Sequence, residues 1–241
     1  MASFSEITFG ARLANAEAIS TNLKGFVGFV APTPTTTIAN YDTLITTLKA
    51  TNGTLATNRA VYSAAVDVRL KHFSKAPDCV EKLLSPILST VKSKIGKTAK
   101  PVVDITALAV KIRGERKKKD DTPTPTDSEE IKKDAVSQSE RSYGSMTQNF
   151  ADIISTLTTL GTDYTPVNTN IKLVGLNTKL TTIRTANNTV TTTYGALKIS
   201  VDARQLSYED LAKRAQAIKY AVKSQYGIKS SEYNLIKGLK V

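Results

Sequence analysis

A stretch of this chain occurs twice, and the repetition limits the folds that the chain can adopt. Residues 38–73 align with residues 173–208 at a constant shift of 135 positions, without a gap. From position 45 to position 73, eight of 29 residues are identical at this shift. The repetition indicates an internal duplication, so we expect two similar halves.

The segment between the two halves has the composition of a linker. Residues 114–127 contain no apolar side chain other than proline, and they include the basic run Arg116–Lys119. Such a segment cannot contribute to a buried core. We therefore predict a first helical repeat over 1–113, a charged, Pro- and Thr-containing linker over 114–127, and a second helical repeat over 128–241.

Within both repeats, apolar residues recur at spacings of three and four, which is typical of one face of an α-helix. The predicted helices cover 5–29, 38–71 and 78–95, with a fourth beginning at Pro101, and then 146–160, 168–206, 207–226 and 230–239. The low aromatic content and the lack of Trp favour aliphatic helix packing over a β-sandwich. The predicted fold class is all-α, an elongated antiparallel helical bundle built from two copies of a three- to four-helix unit.

The long predicted helix over 38–71 follows a seven-residue repeat, as the seam of a coiled coil does. Its polar residues recur in the second copy, where Asn52 matches Asn187, Asp67 matches Asp202 and Arg69 matches Arg204. A polar group in such a seam costs stability unless it is paired, but it can fix the register of the helices. We expect these six residues to specify the seam.

Basic side chains are in excess, and the excess lies late in each predicted repeat. The formal net charge is +12; residues 69–113 hold ten basic and three acidic side chains, and residues 204–241 hold eight and three. Such segments can neutralise phosphates, although a solvated helix face explains the same charge without a ligand. The candidate anion-binding residues are Lys92, Lys94, Lys97, Lys117, Lys118, Lys119, Arg214 and Lys223.

Residues that could carry catalysis are scarce. His72 is the only histidine, Cys79 is the only cysteine, and the chain has no glycine-rich phosphate loop. We expect no catalysis, no metal site and no cofactor, with His72 at a helix end and Cys79 in the core. There is no basic, apolar signal at the start and no apolar stretch of about 20 residues, so we expect a cytoplasmic protein without a membrane anchor.

Taken as a set, these features predict a non-catalytic structural or assembly protein, a scaffold that forms homo-oligomers or binds a protein partner. The alternative is a nucleic-acid-binding protein that uses the late basic segments and the linker. Binding to a membrane is not expected. The salt dependence of any nucleic-acid affinity separates the two hypotheses.

Overall fold

The computed structural model of the chain describes residues 8–114 and 142–241. These residues contain seven α-helices and no β-strand, which confirms the predicted all-α class. The helices are α1 (Phe9–Lys24), α2 (Ile38–Leu70), α3 (Val80–Ile95), α4 (Lys100–Arg113), α5 (Tyr143–Thr159), α6 (Leu173–Tyr226) and α7 (Ser231–Ile236). The predicted linker beyond Gly114, with Lys117, Lys118 and Lys119, and the predicted start of the second repeat at Ser128 lie outside the described residues.

The first of two compact units combines residues 8–62 with Thr193–Val241. It contains α1, most of α2, the C-terminal part of α6, and α7, and α1 packs against α7. Each large side chain in its core contributes about 1.5–3 kcal/mol by burial. The core consists of Ala16, Ile19, Leu23, Tyr41, Leu44, Ile45, Leu48, Tyr208, Leu211, Ala215, Ile218, Val222 and Ile236.

In this first unit, α2 and α6 are also joined by polar and aromatic contacts. Asn58 Nδ2 donates to Ser200 Oγ over 2.5 Å. One turn further along α2, the ring of Tyr62 packs on that of Tyr194 with centroids 5.7 Å apart. The two helices are therefore held together beyond the end of the aliphatic core.

The second compact unit consists of residues 63–114 and 142–192. It contains the end of α2, all of α3, α4 and α5, and the N-terminal part of α6, and α4 packs against both α3 and α5. Its core includes Phe73, Leu84, Ile87, Val91, Ile105, Ile112, Phe150, Ile153, Leu157, Leu176 and Ile183. Each unit thus takes helices from both sides of residues 115–141, so neither unit corresponds to one predicted repeat.

The predicted break in the second long helix is wrong. The sequence pattern predicts a helix end at Leu206 and a new helix from Ser207, whereas α6 continues from Leu173 to Tyr226 over 54 residues. In the matching part of the first repeat, α2 gives way to a π-helical turn at Lys71–Lys75, and Pro77 follows. Proline lacks a backbone donor and disfavours helix before it. No proline occurs within Leu173–Tyr226, so the hydrogen-bond ladder of α6 is not interrupted.

Helices α3 and α6 end in the same way. The N–H of Gly96 donates to the carbonyl of Lys92, and that of Gly227 donates to the carbonyl of Lys223, each over 3.1 Å. Both glycines have a positive backbone angle φ, +85° and +96°, which residues other than glycine rarely adopt. Gly96 and Gly227 therefore both cap the C-terminal ends of their helices.

Helices α1 and α5 also begin alike, each with a hydroxyl cap followed by an aromatic residue. Thr8 Oγ1 accepts from the N–H of Ala11 over 3.2 Å, and Phe9 is the first helical residue. Ser142 Oγ accepts from the N–H of Ser145 over 3.0 Å, and Tyr143 follows. Such caps satisfy donors that the first helical turn leaves free. The two caps also place Phe9 and Tyr143 at the first position of their helices.

Candidate functional site

An arginine and aromatic side chains form one cluster in the first unit, here called the Arg204 cluster. The Arg204 guanidinium carbon lies 4.2 Å from the centroid of the Phe9 ring, and the Phe9 ring packs on Tyr208 at 4.7 Å. Tyr208 is fully buried and donates its O–H to the carbonyl of Phe9 over 2.9 Å. Asn52 Nδ2 donates to the same phenol oxygen over 2.9 Å. Arg12 completes the cluster by donating to the Tyr208 carbonyl over 2.9 Å.

A second cluster, the Arg69 cluster, has a similar plan in the second unit. The Arg69 guanidinium carbon lies 3.9 Å from the centroid of the Tyr143 ring, and that ring packs on Phe73 at 4.9 Å. Asn187 Nδ2 donates to Thr147 Oγ1 over 3.0 Å. The cation over an aromatic face contributes about 0.5–2 kcal/mol, depending on how far it is desolvated.

The same atoms of both clusters are buried without a hydrogen bond inside the described residues. They are Oδ1 of Asn52 and Asn187 and Nε of Arg69 and Arg204. Each cluster therefore holds one acceptor and one donor of complementary type. A buried polar group without a partner destabilises the fold by about 1–3 kcal/mol, so each cluster carries a cost of this size at both atoms.

The other two residues predicted for the seam lie at the surface of their helices. Asp67 forms an ion pair with Lys71 at 2.8 Å, and the hydrogen bond from Lys71 lowers the pKa of this carboxyl group. Asp202 forms an ion pair with Lys198 at 2.7 Å and is exposed. These pairs link residues four positions apart in one helix, and they contribute little to stability at the surface. The structure thus brings Asn52 together with Arg204 and Asn187 with Arg69, but not with the aspartates.

The candidate anion-binding residues that the structure describes are divided between the two units. Lys92, Lys94 and Lys97 lie at or just after the end of α3 in the second unit, where Lys94 and Lys97 are exposed. Lys223 lies exposed near the end of α6 in the first unit. Arg214 is already engaged, because it pairs with Asp210 at 2.7 Å and donates to the Thr35 carbonyl over 3.0 Å.

Apolar side chains are exposed on the outer face of α6, in the first unit. Ile199, Leu206 and Tyr220 are 71%, 66% and 62% exposed, and all lie in register with Lys213 at steps of seven residues. Steps of seven keep side chains on one helix face. The opposite face of α6 is buried through Tyr208, Leu211, Ala215, Ile218 and Val222. We call the residues Ile199, Leu206, Lys213 and Tyr220 the outer stripe.

An open recess adjoins the outer stripe. It has a volume of about 440 Å³ and is lined by Ala212, Lys213, Gln216, Ala217 and Tyr220. The two alanines leave room between longer side chains, as the holes of packed helices do. The outer stripe therefore offers both protruding aliphatic side chains and a depression within the same helix.

Ionisable groups near the first core are tied to its helices. Hydrogen bonds from Lys24 and Ser20 lower the pKa of Asp42, whose carboxylate lies 2.8 Å from Lys24 Nζ. Burial lowers the pKa of Lys219, which donates to the Leu239 carbonyl, and burial raises the pKa of Tyr41. Asp42 and Lys219 thus connect elements of the first unit, whereas the buried Tyr41 hydroxyl has no hydrogen-bond partner among the described residues.

Metal and membrane features are absent from the part of the chain that the structure describes. No group of three or more His, Cys, Asp or Glu side chains comes together in 8–114 and 142–241. Within the same ranges, no helix has the length and apolar character needed to cross a bilayer. Cys79 is buried and free, which confirms its predicted place in the core.

Comparison with known proteins adds no relative to this geometry: no family model, no curated protein and no solved structure matches the chain. The site is therefore defined by its own residues alone.

Sequence reasoning missed two sets of residues. Phe9 and Tyr143 were not recognised as partners of the arginines, because they align at a shift of 134 rather than 135. A hydroxyl residue followed by an aromatic at both helix starts was the available signal. The outer stripe was also missed, although the spacing of Ile199, Leu206 and Tyr220 was visible in the sequence.

Proposed function

We propose that this chain is a non-catalytic structural protein that works by assembly, including association with further copies of itself. The observation that carries the proposal is the outer stripe of α6. Three large apolar side chains in register on one face of α6 are mostly exposed among the described residues, and exposed apolar surface often marks a protein–protein contact. A cytoplasmic location belongs to the same proposal and agrees with a single, unpaired cysteine.

The internal duplication and the antiparallel bundle are parts of this proposal. Matched contacts support them, because Arg69 and Arg204 lie 135 positions apart and each packs on the first aromatic residue of another helix. The matched caps at Gly96 and Gly227 give further support. In this account, each unit is a bundle of helices drawn from both repeats, and the buried polar residues hold the helices in register.

The proposal is tested by the mass of the full chain in solution. Sedimentation velocity between about 1 and 200 µM should show a species larger than the 26.0 kDa monomer whose fraction rises with concentration. The measurement should be made after nuclease treatment, so that bound nucleic acid cannot mimic assembly. A monomer throughout this range would contradict the proposal.

Nucleic-acid binding is the second candidate, and the charge of both units favours it. Among the residues described, each unit carries 13 basic and six acidic side chains, a net charge of +7. If this charge binds phosphates specifically, the affinity for a labelled DNA or RNA oligomer should stay micromolar or tighter at 150 mM salt and should weaken when Lys94 and Lys97 become Glu. If the charge only keeps the protein soluble, binding should vanish near physiological salt.

A further inference from the structure

The outer stripe of α6 combines a protrusion and a recess that are separated by about two turns. Leu206 protrudes, while the recess lies between Ala212 and Tyr220. The buried face of the same helix is already occupied by the first core. Among the described residues, nothing covers the protrusion or the recess, and both can meet a partner that lies along α6.

The charges beside the stripe change sign along the helix. Glu209 precedes the recess and Lys213 lies within it, while Asp202, further from the recess, is paired with Lys198. Glu209 and Lys213 are exposed, and neither forms an ion pair with another described residue. Acidic and basic positions on opposite sides of a midpoint make a helix face complementary to itself when two copies run in opposite directions.

We propose that the outer stripe is a docking surface for a second copy of this chain, with the two α6 helices antiparallel about a two-fold axis near Asp210. Residues at equal distances on either side of the axis then face each other. Leu206 of one copy faces position 214 of the other and enters the recess, and Ile199 lies beside the Tyr220 ring. Glu209 comes within about two residues, or about 3 Å along the axis, of Lys213 in the other copy.

Other arrangements of the same surface are less complementary. A parallel pair would place Lys213 against Lys213 and Glu209 against Glu209, and like charges across an interface cost affinity. An anionic membrane surface would attract Lys213 but repel Glu209. The alternating charge thus selects a second copy, and the antiparallel direction, as the occupant. The inference rests on the proposed self-association and names its surface.

The test is an exchange of the paired charges in the full chain. Glu209→Lys and Lys213→Glu should each weaken self-association about tenfold or more, because each creates two like-charge contacts across the two-fold axis. The double variant Glu209→Lys with Lys213→Glu restores unlike charges, and its Kd should return to within about threefold of the unaltered chain. Sedimentation equilibrium measures the Kd, and circular dichroism verifies that every variant stays helical.

A matched pair of substitutions controls for general surface effects. Leu206→Lys should weaken association about tenfold or more, because it removes the side chain that fills the recess. Val174→Lys, at an 80% exposed position of the same helix but in the other unit, should leave the Kd unchanged. If the chain assembles but the charge exchange fails to restore the Kd, or if Val174→Lys weakens it as much as Leu206→Lys, the outer stripe is not the interface. A chain that is monomeric at every concentration would overturn the proposed function as well.

Discussion

The Arg204 and Arg69 clusters solve the same packing problem with different hydrogen bonds. In both, an arginine lies on an aromatic ring that begins a helix, and a second ring four residues after the arginine packs against the first. In the first unit the second ring is Tyr208, whose hydroxyl accepts from Asn52. In the second unit it is Phe73, which has no hydroxyl, and Asn187 donates to Thr147 instead.

The difference shows which part of the cluster is fixed and which part adapts. The stack of guanidinium and two rings recurs with similar spacing, and so do the buried Asn Oδ1 and Arg Nε without hydrogen-bond partners. The partner of the asparagine amide changes, and the first cluster adds the hydrogen bonds from Tyr208 to the Phe9 carbonyl and from Arg12 to the Tyr208 carbonyl. We conclude that the shape of the side chains and the stacking of the guanidinium and rings hold each cluster together. The hydrogen bonds adapt to the side chains that are present.

Removal of the second ring of each cluster should have the largest effect on stability. Tyr208→Ala and Phe73→Ala each empty a fully buried position, so each should destabilise its own unit by about 3–5 kcal/mol. Native-state hydrogen exchange can assign the loss to the residues of each unit. If either variant costs less than about 1 kcal/mol, the two clusters do not have equivalent roles.

A smaller change makes the first cluster resemble the second. Tyr208→Phe removes the hydroxyl that accepts from Asn52 and donates to the Phe9 carbonyl. At the sequence position that matches Thr147, the first cluster has Arg12, which carries no hydroxyl group. The loss should be about 1–3 kcal/mol, because buried groups are left without partners.

A double-mutant cycle checks the cause of that loss. Adding Asn52→Leu to Tyr208→Phe should recover part of the stability, because it removes the stranded amide. Chemical denaturation of the four proteins gives the coupling energy. Strictly additive costs would mean that Asn52 and Tyr208 do not depend on each other.

Replacing the asparagines alone should have a still smaller effect on stability. Asn52→Leu and Asn187→Leu each remove a buried acceptor without a partner, while Tyr208 and Thr147 keep their other hydrogen bonds. We expect the double variant to stay within about 1 kcal/mol of the unaltered chain or to gain stability, with a loss of conformational uniqueness or a change in oligomeric state. Thermal melts and two-dimensional NMR line widths measure the two effects. Unfolding of the double variant would show that both asparagines are required for the fold.

The smallest expected effect is a change in how the stability of the protein depends on pH. Asp42 has a lowered pKa in the first unit, whereas Asn177 stands 135 positions later in the second. A lowered folded-state pKa stabilises the protein above the unfolded-state pKa, and this stabilisation is lost as the pH falls through the folded-state pKa. Asp42→Asn should therefore flatten the loss of stability between about pH 5 and pH 2, and Lys24→Gln should do the same. If the urea midpoints of these variants fall with pH as steeply as that of the unaltered chain, the link between Asp42 and Lys24 is contradicted.

Helix positions and caps could be predicted from the sequence because they depend on local patterns. The burial of Tyr41, Leu48 and Leu55 follows from their spacing of seven, and the cap at Gly96 follows from glycine's access to positive φ. The continuity of α6 could also have been predicted, since no proline occurs between Pro166 and Val241.

Other features could not be predicted because they depend on how distant segments meet. The recurrence of Asp67 and Asp202 resembled that of Asn52 and Asn187, yet only the asparagines face another helix. Identity at matched positions does not reveal which side of a helix is covered. The exchange of helices between the two predicted repeats is likewise a property of tertiary packing.

The central claim is that each unit is built from helices on both sides of residues 115–141. A site for a specific protease, inserted within 115–141 of the full chain, allows one backbone cut there. After cutting, the two fragments should elute together from a sizing column, keep their helical circular dichroism, and separate only in denaturant. Fragments that part under native conditions, each folded without the other, would contradict the claim.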